Sequence, residues 1–189
     1  MDGYLSDPLV FVVQAVSGLY IGALLLRVHL AWVRADFYNP VSQFLVAITR
    51  PLLHPLRRVI PALGRVDSAA VVLMLALQAL ALVLMGVLRG AVPGLPPLLV
   101  LSVAGVLDIW FSLMLFLLLA AVLMSWFNPG PHPVARLLSR AAEPLLAPAR
   151  KWLPPIAGVD VSPVLVFILL QVAQMLLIPP LHQLARALA

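Results

Sequence analysis

Few side chains in this sequence are equipped for chemistry, and they fall into three sets. The first is cationic. Arg57 and Arg58 stand in RPLLHPLRRVIP at residues 50–61, and Arg150 and Lys151 stand in EPLLAPARKWLP at 143–154. Arginine and lysine set among leucines suit an anionic lipid surface, with the leucines in the acyl boundary and the charges on phosphates. The second set is Asp67 and Asp160, each just before an apolar stretch. A carboxylate there either caps the free amides of the next helix or pairs with an arginine of the preceding block, and the two roles are compatible. The third set lies inside apolar stretches: Asp108, Gln78, Gln171 and, from the opposite end, Gln14. At 1.5 Å per residue Asp108 is roughly 15 Å deep and the paired glutamines about 10 Å. An acid at that depth must face the helix bundle, be protonated or line water. The set reads as a packing cluster in which Asp108 shares hydrogen bonds with the glutamines, or as part of an ion or proton path.

Other reactive patterns are missing. Cysteine is absent, so disulfides, thiolate metal sites and cysteine nucleophiles are excluded. His29, His54, His132 and His182 show no i, i+4 metal spacing and no accompanying acids. No nucleophile elbow, P-loop or dinucleotide glycine pattern is present, so the expectation is a non-enzyme without cofactor or metal.

The elements that must position these residues follow from composition. The 189 residues are 63% apolar and 10% charged, with a mean hydropathy of +1.11. A water-soluble domain cannot hide that much apolar surface, so the class is all-α integral membrane protein. Four stretches are long enough to cross a bilayer, at about residues 9–32, 69–88, 98–126 and 163–178, the last ended by Pro179 and Pro180. No strand-like alternation supports a barrel. The acidic MDGYLSDP start differs from a secretory signal, so the first stretch reads as a retained span. Gly18 and Gly22 form a GxxxG step for close helix approach, and Arg27 is expected to snorkel beside Trp32.

Net charge is +5. Arg34, Arg50, Arg57, Arg58 and Arg65 lie in the first long connection, and Arg136, Arg140, Arg150 and Lys151 in the second. The short turn near residues 89–97 has only Arg89. The positive-inside rule then puts both long connections in the cytoplasm and both termini outside, in the cell inner (plasma) membrane. The implied partners are the bilayer and its anionic headgroups, with homo-oligomers or other membrane proteins possible and nucleic acid not expected, because aromatic–basic interleaving is missing.

The chain is also a duplication. A constant shift of ninety-three matches Pro40 with Pro133, Pro51 with Pro144, Pro55 with Pro148, Arg57 with Arg150, Arg58 with Lys151, Pro61 with Pro154, Asp67 with Asp160 and Gln78 with Gln171. The units are residues 1–95 and 96–189. Each holds two spans, so the units run parallel and are related by an axis along the membrane normal. Val41, Phe44, Leu45 and Ile48 give a short amphipathic helix, entered at Asn39-Pro40 and ended by Pro51. The whole block, 40–62 and again 133–155, is expected as an interfacial elbow that turns the chain along the cytoplasmic surface. Ser162 with Pro163 is expected to cap the fourth span.

These residues carry a resemblance. Asn39, Pro40, Phe44, Leu45, Thr49, Pro51, Pro55, Arg57, Arg58, Pro61, Gly64 and Asp67 give one unit of the motif. Pro144, Pro148, Arg150, Lys151, Pro154, Asp160, Ser162 and Pro163 give the second. The pattern resembles the YggT family of small integral membrane proteins, whose organellar relatives are called YlmG-like. Bacterial members commonly carry two such units. The sequence departs at DSAA after Val66, where the family favours D-x-S-P, and at Ala142, where it favours threonine. The resemblance implies an accessory or scaffold role connected with osmotic-stress tolerance or assembly of membrane complexes. Plastid relatives are associated with division, nucleoid arrangement and cytochrome assembly. The alternative is a subunit of a small-ion channel or transporter working through Asp108.

Overall fold

The computed structural model describes residues 3–63, 67–127, 132–153 and 160–189, with side chains from Ser6 onward. The described residues form six helices: α1 (Gly3–Trp32), α2 (Pro40–Val59), α3 (Ser68–Arg89), α4 (Leu95–Phe127), α5 (Pro133–Trp152) and α6 (Ser162–Ala187). Among these, α1, α3, α4 and α6 are long and apolar enough to cross a membrane. Their most apolar windows are only 17% to 28% buried within the protein, so most of that apolar surface needs an apolar surrounding, which lipid supplies. The chain is a multi-pass membrane protein. Gly64, Arg65, Pro154 and the end of the second elbow lie outside the described residues.

Packing follows the duplication. In the first unit α1 packs on α3, with α2 across both; in the second α4 packs on α6, with α5 across both. There are two cores, one centred in each unit, and the second also takes in Leu30 and Leu45 of the first unit. Ile21, Leu24, Leu53, Ala70 and Met74 centre the first. Met114, Leu118, Ala141, Leu146 and Val166 centre the second. Trp110 and Leu113 of α4 touch both cores and weld the units. The α3–α4 turn is closed by Gly90 at φ +77°, and the Ala91 amide donates to the Gly86 carbonyl at 2.9 Å. A side chain at Gly86 would fall 2.8 Å from the Ala91 oxygen, so the turn requires glycine there. Of the GxxxG step, only Gly22 meets another helix, at Ile109, while Gly18 faces open space.

Three helix ends differ from the sequence expectation, each for a reason of solvent. The α2 helix does not stop at Pro51. It continues through Pro51 and Pro55 to Val59, and α5 likewise passes Pro144 and Pro148. Pro51, Pro55 and Pro148 sit on exposed faces, where a carbonyl that lost its amide partner can be hydrated. Nor does α6 end at Pro179. It runs through both prolines to Ala187. In hydrocarbon an uncoiled backbone leaves every polar group unsatisfied, whereas two prolines remove only two donors.

Candidate functional site

The connections gather the charged residues at one end of the bundle. At the start of α2, the Asn39 carboxamide oxygen accepts from the Val41 amide at 3.0 Å. His132, its counterpart at the shift of ninety-three, uses Nδ1 to accept from the Val134 amide at 3.3 Å. The two helix starts are joined directly: Asn39 Nδ2 donates to the Pro133 carbonyl at 2.9 Å. His29 Nε2, buried, donates to the Ala141 carbonyl at 2.8 Å, and Arg140 Nε donates to the Val33 carbonyl at 3.2 Å. Both helical elbows therefore lie at the same end, bridged across the units.

Each elbow is latched to the span that follows it. Arg57 Nη2 pairs with Asp67 Oδ2. Arg150 Nε pairs with Asp160 Oδ2 at 2.9 Å, and its Nη1 reaches Glu143 at 3.1 Å. The Asp160 bond first, then the nearby carboxylate charges, push the Arg150 guanidinium up from its ordinary value. Both carboxylates also act at a helix start. Asp67 Oδ1 accepts from the Ala70 amide at 3.3 Å, and Asp160 Oδ1 accepts from the Ser162 amide at 3.0 Å. Ser162 is not the cap: it is the first helical residue, and its buried hydroxyl is outside hydrogen-bond geometry of any described group. That hydroxyl lies close enough to favour the ionised Asp160, and with Arg150 it holds the Asp160 carboxyl below its ordinary value of 3.8 against the opposing effect of desolvation.

The latches change which cations face outward. Arg57 and Arg150 are committed to carboxylates, so exposed Arg50 and Arg58 carry the outward charge of the first block and exposed Lys151 that of the second. Arg27 is held by the elbow helix rather than left free beside Trp32. It turns inward and donates to Thr49 Oγ1, a fully buried hydroxyl that itself donates to the Leu45 carbonyl. Tyr20 adds a bond from its hydroxyl to the Ile48 carbonyl at 3.1 Å.

Arg27, Arg34 and Arg57 line one cavity of ≈240 Å³ together with Val28, Ala31, Trp32 and Asp67. Arg34 also lines a second cavity of ≈240 Å³, between the units, with Asp36, Arg136 and Arg140. Its backbone is unusual: φ is +54°. The Arg34 amide donates to the Ala31 carbonyl and the Ala35 amide to the Leu30 carbonyl at 2.9 Å, which makes Arg34 the left-handed residue of a Schellman end to α1. Glycine is usual there, and a side chain costs roughly 1–2 kcal/mol. In the second unit the equivalent cavity, ≈440 Å³, is lined by Ser125, Glu143, Arg150 and Asp160 among others. Equivalent positions thus carry opposite charge balances.

The intramembrane set is arranged differently from the sequence expectation. Asp108 does not face the bundle. It lies on an exposed lateral face near the middle of α4, and its Oδ1 accepts from Gln174 Nε2 at 2.8 Å. Gln174 is one turn beyond the expected Gln171. Gln78 instead lies against Gly105, where an added Cβ would meet its Nε2 at 2.4 Å. No cavity described here is lined by Asp108. Sequence reasoning missed Gln174 by choosing the repeated glutamine, and it missed the convergence of Arg27 and Arg34 because they come from a span and from its terminating turn.

The sequence model of the CCB3/YggT family matches residues 6–88 and 100–181, one segment per unit. A protein of Pseudomonas aeruginosa is 41% identical over 177 residues, covering 92% of this chain and 90% of its own. The YggT protein of Escherichia coli (strain K12) is 39% identical over 172 residues, covering 89% and 88%. A protein of Vibrio alginolyticus is 36% identical over 169 residues, covering 88% and 91%. No solved structure matches the chain.

Proposed function

The chain belongs to the CCB3/YggT family, and on that premise we propose that it is a non-catalytic accessory protein of the cell inner membrane. In this reading it is a rigid scaffold serving osmotic-stress tolerance or the assembly of membrane complexes. The observation that carries the reading is the duplicated latch: Arg57 to Asp67 and Arg150 to Asp160 tie both elbows to their spans. A device repeated in both units, with hydrogen bonds between the elbows, suits a fixed platform better than a hinge. The platform end is the cytoplasmic one, with both termini outside. There α2 and α5 lie as amphipathic helices in the headgroup layer, and Arg58 and Lys151 meet anionic lipid at about 1 kcal/mol each. The exposed Asp108–Gln174 pair suits contact with another membrane helix, from a second copy or another protein.

The competing reading is an ion path through Asp108. An experiment on that residue separates the two readings. A strain lacking the protein is complemented with the wild type or with Asp108→Asn and challenged by osmotic upshift. A scaffold is rescued equally by both, and the purified protein in vesicles passes no cations. Cation flux in vesicles, lost together with rescue in Asp108→Asn at equal abundance, overturns the scaffold.

A further inference from the structure

The first-unit cavity holds two more cations than acids: Arg27, Arg34 and Arg57 face one carboxylate, Asp67. The same place in the second unit holds one more acid than cations, with Arg150 facing Glu143 and Asp160. Duplication supplied both units with the latch, so the excess positive charge is particular to the first. Three guanidinium groups around one recess are disfavoured unless an anion joins them. The recess is large enough for one: ≈240 Å³ is about eight waters' share of liquid volume.

We infer that this cavity binds a phosphate-bearing anion, with Arg27, Arg34 and Arg57 as its ligands. Guanidinium forks match phosphate oxygens in pairs, and a phosphate monoester carries close to the two charges that the cavity lacks. Arg27 is held toward the cavity by Thr49, and Arg57 by Asp67, so both are positioned before a ligand arrives. Arg34 is the independent sign. The backbone at this residue is in the conformation that glycine fills most easily, yet the position is an arginine that lines the cavity. Strain kept at such a place is explained by what the side chain does. Val28 and Trp32 give the cavity an apolar wall, which fits a lipid headgroup with its glycerol as well as a free phosphate ester.

The inference deepens the reading of this end as the lipid-facing platform, but its test does not depend on that reading. Full-length protein in neutral detergent is titrated with inorganic phosphate, with short-chain phosphatidic acid and with the matching phosphatidylcholine. The phosphate or phosphatidic acid is expected to bind and phosphatidylcholine not. Binding of phosphatidic acid alone assigns the site to a headgroup, and comparable binding of inorganic phosphate assigns it to a free phosphate; both sustain the site. Arg34→Gly is expected to melt at the same temperature or higher, since it relieves the backbone, while losing at least tenfold in affinity. Arg27→Gln, which keeps a donor for Thr49, is expected to lose a similar factor. Arg89→Gln, exposed at the end of α3 away from the cavity, is expected to stay within twofold. Failure of the wild type to prefer either phosphate probe over phosphatidylcholine overturns the inference, as does wild-type affinity in both Arg34→Gly and Arg27→Gln.

Discussion

Asp67 performs two separable tasks, and removing them one at a time should move stability and anion binding in opposite directions. Asp67→Asn keeps an oxygen for the Ala70 amide and removes only the charge that holds Arg57. The arginine side chain is 47% exposed and the aspartate 21%, so solvent screens the pair. Its loss should cost about 0.5 kcal/mol, inside the range for exposed pairs. Asp67→Ala also removes the cap, which adds about 1 kcal/mol. For a chain of this size each kcal/mol moves the melting midpoint by roughly 2–4 °C, so the two variants should fall by about 1–2 °C and 3–6 °C. High salt should erase the first deficit and leave the cap's share of the second. Both variants delete the one carboxylate among the described residues lining the first-unit cavity; the removed negative charge should outweigh the lost hold on Arg57, so both should bind phosphate more tightly than the wild type even as they melt earlier. Thermal unfolding in detergent, run beside the phosphate titration, reads both effects. Equal melting of the two variants would refute the division of labour, and weakened phosphate binding would refute the charge argument.

Gly105→Ala should lower the melting midpoint, because the new methyl meets Gln78 at 2.4 Å to 3.1 Å across the seam between units. The cost should be about 1–3 kcal/mol, and adding Gln78→Ala should recover most of it, measured as a double-mutant cycle. Asp108→Asn keeps an acceptor for Gln174 and discards an expensive charge, so its melting midpoint should match or exceed the wild type's. The second latch should be acid-sensitive. The folded Asp160 carboxyl is held below 3.8, so its stabilisation is fully present above the ordinary carboxylate range and lost as pH falls through that lower folded value. Wild type and Asp160→Asn should therefore differ at neutral pH and converge in strong acid.

The four spans were legible because apolar length is a one-dimensional property. The shared spacing of Arg57 to Asp67 and Arg150 to Asp160 also lies in the sequence, and the pairing was open there as one of two roles. Proline misled the reading of helix ends. Its rule weighs a lost hydrogen bond against a water-solvated coil, and Pro179, inside an apolar helix long enough to cross a membrane, does not face that alternative. For Asp108 the sequence leaves facing the bundle, protonation and lining water open, and α4 directs it sideways with Gln174 as its partner. The basic cavity was not legible at all. Arg27 lies in a span, Arg34 in the turn that ends it and Arg57 near the end of the next helix, and only the fold of α2 back over α1 brings them together.

The central claim is that both latched elbows face the cytoplasm, and the absence of cysteine gives it a direct measurement. Single cysteines are placed at the exposed positions 58, 151 and 92 by Arg58→Cys, Lys151→Cys and Val92→Cys. A membrane-impermeant thiol reagent is then applied to right-side-out and to inverted vesicles. The account predicts that the cysteines at 58 and 151 label together in inverted vesicles only, and that the cysteine at 92 labels in right-side-out vesicles only. Labelling of 58 and 151 on opposite sides, or of both in right-side-out vesicles, would contradict it.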